Sequence, residues 1–351
     1  MKKTQLPGLG RRGFLLGGAA VGAGALLTAC TGNSDDDSSD AVVGTGGGDN
    51  AAPGKAVTIG FAAPAADHGW IAAITNNAKA QADQFDDVTL NAVEGSNDVN
   101  TQVTQMQQLV SDGVDAIVIL PFDGKQLTQA GLDAMAAGIP VINLDRIFDS
   151  PLAYRTWIGG DNYGMGVAAG NYIASRLEGT SNPVIAEIAG IDSLPLTQDR
   201  SRGFKEALAD CGLKVSNRVA AEFTVESGEK AAANLLQAAP KIDAIWNHDD
   251  DQGVGVMAAI KNSGRKEFFV VGGAGSANVM RDIKSGNSLL KATVIYPSTQ
   301  GADGIRLARL LVQKKALGDL VEVEVPRTVQ LYAPVVTKEN VDQYLPTAFE
   351  S

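Results

Sequence analysis

The chain has 351 residues, 44% of them hydrophobic, which is enough for a large core divided over about two domains. Acidic residues outnumber basic ones by 40 to 29 and give a formal net charge of −11. The chain therefore lacks the basic excess that would neutralise phosphate groups, and we do not expect nucleic acid as a partner. The only two cysteines, Cys30 and Cys211, suggest no disulfide framework. Cys211 follows a helical pattern and is predicted to be a packed, reduced thiol.

The first 29 residues have the features of an export signal. Arg11 and Arg12 precede Phe14 and an apolar region, an order that resembles a twin-arginine signal, with the Sec route as the alternative. Residues 13–29 are rich in glycine and alanine, and they are slightly short and weakly hydrophobic for a membrane-spanning helix. A signal peptide is therefore predicted over residues 1–29.

The residues that follow the signal indicate an anchor and a tether. Residues 27–30, Leu-Thr-Ala-Cys, resemble a bacterial lipobox, in which the cysteine becomes the lipidated first residue of the mature protein. An incidental cysteine is the alternative. We expect a lipoprotein that Cys30 anchors to the outer face of the cell membrane. Residues 31–54 are too polar to bury a core and are predicted to form a flexible tether, so the folded part should begin near Lys55.

Strand and helix patterns alternate along the rest of the chain. The first half predicts strands at 57–62, 88–93, 115–120 and within 138–146, and helices at 70–85, 101–110 and 125–137. The second half predicts strands at 184–189, 219–223, 244–246, 268–272 and 290–295, and helices at 164–177, 197–210, 228–238, 253–261, 277–285 and 301–315. This alternation implies right-handed crossovers and two doubly wound α/β units.

One strand ends in an acid and a base. The segment from Ile139 to Leu144 is nearly all apolar, which predicts a strand covered on both faces, and Asp145 and Arg146 follow it directly. Ligands of open α/β sheets bind outside the carboxyl ends of the strands. We expect these two side chains to bind a ligand by accepting and donating hydrogen bonds, with a surface ion pair in a loop as the alternative.

Other polar residues allow metal or enzyme interpretations. His68 and His248 fall on loops at strand ends, where they could form a metal site with neighbouring carboxylates. No short ligand spacing supports such a site. The neighbouring carboxylates are Asp67, Asp249, Asp250 and Asp251. Residues 249–251 are more typical of a helix cap plus one cleft ligand. Asp145 and Asp249 could form a glycosidase pair. No nucleophile elbow, phosphate loop or zincin motif is present in the sequence, so we expect neither an enzyme nor a cofactor.

Several short motifs together resemble the periplasmic-binding-protein family of ribose type, the ligand-capturing component of ABC sugar importers. The resemblance covers about residues 55–340 and rests on these segments: residues 139–146 (Ile-Pro-Val-Ile-Asn-Leu-Asp-Arg), Asp161-Asn162, residues 200–204 (Arg-Ser-Arg-Gly-Phe), Val270-Val271-Gly272 and Ala292-Thr293-Val294. A transcription regulator with this fold would need a DNA-binding headpiece and would lack an export signal.

The resemblance implies two Rossmann-like lobes joined by a hinge, with the ligand in the cleft between them. The crossing segments would fall near Gly160, near Tyr296-Pro297 and within residues 326–329. One lobe would comprise residues 55–160 and 297–325, the other residues 161–296 and 326–340, with residues 341–351 as a tail. The implied protein is a monomer that works with an ABC transporter permease.

The resemblance also implies the ligand contacts. Asp145, Arg146 and Arg200 match the family's sugar-binding positions, while Trp70 and Phe223 fall where aromatic rings cover the sugar, with core packing as their alternative. The full candidate set is Asp67, His68, Trp70, Asp145, Arg146, Arg200, Phe223, Asp249 and Tyr296.

Five positions depart from the ribose-binding pattern: His68, Leu120, Asp249, Ala274 and Tyr296. These departures argue against ribose itself. A different monosaccharide or a related polyol is therefore expected, and a cyclic signalling diol or a nucleoside is the alternative.

Overall fold

The computed structural model describes residues 50, 52–315, 317 and 324–351. These residues fall within one compact unit. The predicted signal peptide, the lipobox with Cys30 and most of the tether lie outside the described residues. Within the described part, no helix is long and apolar enough to cross a membrane.

The first lobe is built on a six-stranded sheet in which every neighbouring pair is parallel. Its strands, in chain order, are β1 (Val57–Ala62), β2 (Val88–Ala92), β3 (Ala116–Ile119), β4 (Val141–Leu144), β5 (Thr156–Gly160) and β11 (Thr328–Leu331). Its helices are α1 (Gly69–Ala82), α2 (Val99–Ser111), α3 (Gly124–Ala136) and α9 (Gln300–Val312). Apolar side chains of α1 and α9 cover one face of the sheet and those of α2 and α3 cover the other.

The second lobe repeats this arrangement with a second six-stranded sheet. Its strands are β6 (Ile185–Ala189), β7 (Val215–Ala220), β8 (Ala244–Asn247), β9 (Phe269–Ala274), β10 (Leu290–Ile295) and β12 (Val335–Thr337). Its helices are α4 (Asn162–Arg176), α5 (Pro195–Asp210), α6 (Val225–Ala238), α7 (Asp250–Ser263), α8 (Ala277–Ser285) and α10 (Val341–Tyr344). Only the edge strand β12 runs antiparallel to its neighbour, β10.

The structure confirms the predicted fold class, because both sheets are doubly wound and the chain passes from one to the other and back. Strands β3, β4 and β8 are buried along their whole length, as expected for parallel strands covered on both faces. Helices α2, α3 and α4 begin where Asp98, Asp123 and Asp161 accept a hydrogen bond from a first-turn N–H. The secondary-structure pattern of the sequence therefore predicts most element positions.

The third crossing lies later in the chain than residues 326–329. Strand β11 pairs with β5 in the first sheet, so the chain enters the second lobe only after Leu331. Exposure alternates along this edge strand, and such a pattern does not reveal which sheet a strand will join. The predicted tail also packs on the second lobe, where Val341 is buried against Met280 and Val336.

Two smaller expectations are also corrected. The strand predicted at 219–223 lies at β7, several residues earlier. None of its residues is buried, because β7 is an edge strand of the second sheet, and it gives no continuous apolar run. Cys211 is a free but exposed thiol, because it stands just after the last residue of α5, where the helix ends at the surface.

Candidate functional site

The carboxyl ends of strands from both sheets face each other across a small pocket. The pocket is lined by His68, Trp70, Asp145, Arg146, Leu196, Arg200, Phe223, Asp249 and Tyr296. The structure therefore brings together every predicted ligand-binding residue except Asp67, and it adds Leu196. The pocket encloses about 20 Å³, which is roughly the space that one water molecule needs. Asp145, Arg146 and Leu196 also line an adjoining cavity of about 400 Å³.

Asp145 and Arg146 lie directly after the end of β4. Asp145 is 6% exposed and has a positive φ of 54°, a conformation that aspartate tolerates better than most residues. The nearest side-chain atoms of the two residues, Arg146 Nε and Asp145 Oδ2, lie 3.9 Å apart. Arg146 Nη1 donates to the carbonyl of Phe122 at 2.8 Å, and its Nε has no hydrogen-bond partner in the described structure. Because Asp145 is buried and the side chain of Arg146 is only 10% exposed, a surface ion pair does not describe them.

Tyr296 lies at the centre of the pocket. Its hydroxyl donates to Asp145 and accepts from Asn162 Nδ2 at 3.1 Å. The guanidinium of Arg200 lies 4.5 Å from the centre of the Tyr296 ring, and the Trp70 ring lies 5.5 Å away. A side chain at Gly160, at the first crossing, would overlap this ring. Burial and the nearby Asp145 carboxylate raise the pKa of the Tyr296 phenol, so the hydroxyl keeps its proton and remains a donor.

Arg200 is held in place by the second lobe. Its Nε donates to Asn162 Oδ1 at 2.9 Å, and its Nη1 donates to the carbonyl of His248 at 3.1 Å. His248 is fully buried, and its Nε2 lies 3.1 Å from Oε1 of Glu187. Burial lowers the pKa of His248 to about 4, so the imidazole is neutral and its Nε2–H donates to Glu187. This hydrogen bond fixes the loop that orients Arg200.

Trp70 and Phe223 serve both the core and the pocket. Their side chains are 5% and 7% exposed, and both border the pocket. Trp70 Nε1 donates to the carbonyl of Tyr296 at 3.1 Å, which fixes the indole plane. The Phe223 ring lies 6.3 Å from the imidazole of His68, measured between ring centres. Core packing, the alternative for these residues, is therefore present together with a pocket-facing position.

His68 lies among carboxylates of both lobes. Burial disfavours its charged form, but the hydrogen bond to Asp67 and the charge of Asp249 outweigh this effect and raise the pKa of His68. Asp67 is half exposed at the rim, where it accepts from Asn97 Nδ2 at 2.9 Å, so it contacts His68 and not the pocket. Among the residues that the structure describes, no group of three or more His, Cys, Asp and Glu side chains is arranged to hold a metal ion.

The three consecutive aspartates before and within α7 have different roles. Asp249 is the helix cap and accepts from the N–H groups of Asp251 and Gln252. Burial and the nearby Asp251 raise the pKa of Asp249 to about 6. Asp250 neither caps the helix nor lines the pocket. Its buried carboxyl group accepts from three N–H groups at the end of β9 and from the hydroxyl of Thr293. Asp251 accepts a hydrogen bond from Trp70, in the other lobe.

Two of the departing positions lie outside the pocket lining. Leu120 is fully buried in the core of the first lobe. Ala274 has a positive φ of 83°, which is unusual for alanine, and its carbonyl accepts from the Tyr296 N–H at 3.1 Å. Asn162 contacts Tyr296 and Arg200, and Leu196 lines the pocket, although neither residue was among the predicted ligand contacts. The Asp161-Asn162 motif offered a signal for Asn162, whereas nothing in the sequence distinguished Leu196 from a core leucine.

Comparison with known proteins identifies a matching family model and similar binding proteins. A family model described as periplasmic binding protein domain matches residues 59–316. The chain is 32% identical over 220 residues to the ribose import binding protein of Bacillus subtilis, a match that covers 61% of this chain and 70% of that protein. It is 27% identical over 253 residues to the xylitol-binding protein of Mycolicibacterium smegmatis, covering 70% of this chain and 68% of that protein.

A solved structure supports the same assignment. A Mycobacterium smegmatis protein in complex with β-D-fucofuranose superposes with a TM-score of 0.74 and 26% identity, over 83% of this chain and 94% of that one. The family model covers most of the folded part, and the two lobes enclose a pocket at their strand ends. The chain belongs to the periplasmic binding protein domain family.

Proposed function

We propose that this protein captures a monosaccharide or a related polyol between its two lobes and delivers it to an ABC importer. The observation that carries the proposal is the composition of the pocket, in which Asp145, Arg146 and Arg200 meet the rings of Trp70 and Phe223. Polyhydroxylated ligands need hydrogen-bond partners around their hydroxyls and apolar surfaces over their C–H groups. Hydrogen bonds to charged groups contribute about 1.5–3 kcal/mol each.

The relatives support the polyol class over the non-sugar alternatives. The names of two relatives specify ribose and xylitol, and a neighbouring structure contains a furanose sugar. Three of the five departures from the ribose pattern line the pocket, namely His68, Asp249 and Tyr296. We therefore infer a ligand other than ribose. The relatives are binding proteins, which supports a binding role and not a glycosidase role for Asp145 and Asp249.

A ligand panel tests this proposal. Protein purified without refolding is titrated calorimetrically with pentoses, hexoses, xylitol, other linear polyols and nucleosides, and native mass spectrometry identifies any molecule that copurifies. We expect a sugar or polyol to bind and to raise the melting temperature, because a ligand that binds only the folded state stabilises it. Binding of nucleosides without binding of any sugar or polyol contradicts the proposal.

Closure of the lobes is a second expected result. The pocket between the aromatic rings and the arginines holds only about 20 Å³. We therefore expect the ligand to enter an open form and to favour the closed one by its higher affinity for it. Small-angle scattering of the saturated protein should give a smaller radius of gyration than that of the free protein. An unchanged scattering profile at saturation argues against a hinge mechanism but leaves binding intact.

The anchor is a third expectation. Family membership implies an extracytoplasmic location, and we infer from the lipobox pattern that lipid on Cys30 holds the protein at the outer face of the membrane. Each buried CH₂ of an acyl chain contributes about 0.8 kcal/mol to such anchoring. Cys30→Ser should release the protein into the medium, as measured by immunoblots of medium and membrane fractions. Retention equal to the wild type excludes the lipid anchor; Cys211→Ser, at an exposed thiol, is the control and should remain on the membrane.

A further inference from the structure

Helix α1 begins in the first lobe without a cap of its own. Its N-cap residue is His68, whose side chain makes no capping hydrogen bond. The Trp70 N–H, in the first turn, donates instead to Oδ2 of Asp251 at 3.0 Å, and both residues are buried. Asp251 belongs to α7 of the second lobe. A carboxylate of one lobe therefore satisfies a first-turn donor of a helix in the other, where negative charge also interacts favourably with the helix dipole.

Asp251 is not needed as the cap of its own helix. Asp249 caps α7, and it accepts from the N–H groups of Asp251 and Gln252 at 2.9 and 3.1 Å. The carboxylate of Asp251 is thus available to the opposite lobe. It does not line the ligand pocket, whereas Asp249 does. The two adjacent aspartates have separate tasks, one at the pocket and one at the contact between the lobes.

Gly69, the first residue of α1, allows the lobes to approach this closely. A Cβ atom at this position would overlap the carbonyl oxygen of Glu350, and it would lie 2.8 Å from Oδ1 of Asp251. The chain end that it faces is fixed to the second lobe, since the Ala277 N–H donates to the carbonyl of Phe349 at 2.6 Å. A methyl group on Gly69 would therefore push against the second lobe.

We propose that Asp251 caps α1 across the lobes, through a hydrogen bond that forms when the lobes close. Gly69 permits this contact because it has no side chain. The proposal rests on the proposed function, because it assigns the contact to the closed, ligand-holding state. A bond made only in that state shifts the opening equilibrium toward closure. Asp251 accordingly retains the ligand without touching it, and its main effect is on the rate of release.

The binding test uses Asp251→Ala and Gly69→Ala in the full chain. Its probes are xylitol and D-fucose, the polyol and the sugar that similar proteins are named for or contain. Loss of a helix cap corresponds to about a 3- to 30-fold change in an equilibrium constant. Asp251→Ala should raise the dissociation constant by that factor, through a faster dissociation rate and a nearly unchanged association rate. Gly69→Ala should act in the same direction. The ligand-free melting temperatures of both variants should match the wild type.

Asp98→Ala is the matched control. Asp98 also caps a helix, but α2 belongs to the same lobe and the bond is present whether the lobes are open or closed. We expect Asp98→Ala to lower the melting temperature and to leave the dissociation constant within about twofold. If Asp251→Ala follows this control, with a lower melting temperature and unchanged affinity, the cross-lobe cap is only structural and the proposal is wrong.

Hydrogen exchange at the Trp70 amide separates this proposal from the proposed function. In the wild type this amide should be protected from exchange whenever the lobes close, even without added ligand. Asp251→Ala should abolish that protection. The Thr101 amide, which donates to Asp98, should exchange equally in both proteins. If neither probe binds the wild type, these two ligands are excluded, and this exchange experiment still decides the role of Asp251. Equal exchange of Trp70 in both proteins contradicts the proposal.

Discussion

Asp145→Ala is expected to weaken ligand binding by roughly 30-fold to several thousand-fold. This range corresponds to about 2–5 kcal/mol, the usual cost of truncating a charged group whose partners stay buried in a complex. Asp145 lies in the pocket and accepts a hydrogen bond from Tyr296. Its Oδ2 lies 3.9 Å from the buried Nε of Arg146, which has no hydrogen-bond partner in the described structure. Removal of the carboxylate would leave the guanidinium in the closed cleft without its counter-charge.

Arg146→Ala and Arg200→Ala should weaken binding to a similar extent. These residues contribute from different lobes, so agreement between them would support a ligand held between the lobes. Titration calorimetry gives the dissociation constants, and melting temperatures report the folding of each variant.

The matched control is Asp149→Ala, which removes an exposed carboxylate four residues further along the same loop. It should bind within about twofold of the wild type, since surface substitutions have small effects. Asp250→Ala is unsuitable as a control because Asp250 holds the end of β9 through several hydrogen bonds. If Asp145→Ala binds normally but melts far lower, the role of Asp145 is structural.

Asp87→Asn is expected to destabilise the fold by about 3–5 kcal/mol, the usual cost of breaking a buried ion pair. Asp87 accepts two hydrogen bonds from Arg309, each at 2.7 Å, and Arg309 is 1% exposed. The same guanidinium lies 4.3 Å from the centre of the Phe85 ring and donates to the carbonyl of Ala52 at 2.8 Å. This contact joins α9, which returns from the second lobe, to the start of β2. Without its counter-charge, Arg309 stays buried and positively charged.

This ion pair also predicts the response to acid. The hydrogen bond from Arg309 holds the pKa of Asp87 well below its ordinary value of 3.8, despite burial. A carboxyl whose pKa is lower in the folded state stabilises the fold above its unfolded pKa, and this contribution is lost as the pH falls toward the folded pKa. Urea unfolding should show a larger difference between the wild type and Asp87→Asn at pH 7 than below about pH 4.

Asp342→Asn is the control for this prediction, since its ion pair with Lys284 is exposed. Exposed pairs contribute about 0–1 kcal/mol, so this variant should unfold close to the wild type. Equal effects of Asp87→Asn and Asp342→Asn at pH 7 would mean that the buried pair does not hold α9 in place.

Local pattern determined most of the fold and much of the site. Continuous apolar runs marked β3 and β4 because parallel strands are buried on both faces. Asp145 and Arg146 were found for the same reason, since polar residues directly after such a strand stand at the sheet edge where ligands bind. The resemblance to a known family then joined Arg200, Trp70 and Phe223 to them, and the structure places all five around one pocket.

Only the tertiary structure decided how distant segments meet. The Trp70–Asp251 bond joins residues 181 positions apart, and Arg309 lies 222 positions from Asp87. Such contacts leave no periodic signal in the sequence, because each partner taken alone resembles an ordinary cap or a surface charge. The sheet that β11 joins was undecided for the same reason: a half-exposed edge strand can pair with either sheet, and the path of the chain through the hinge makes the choice.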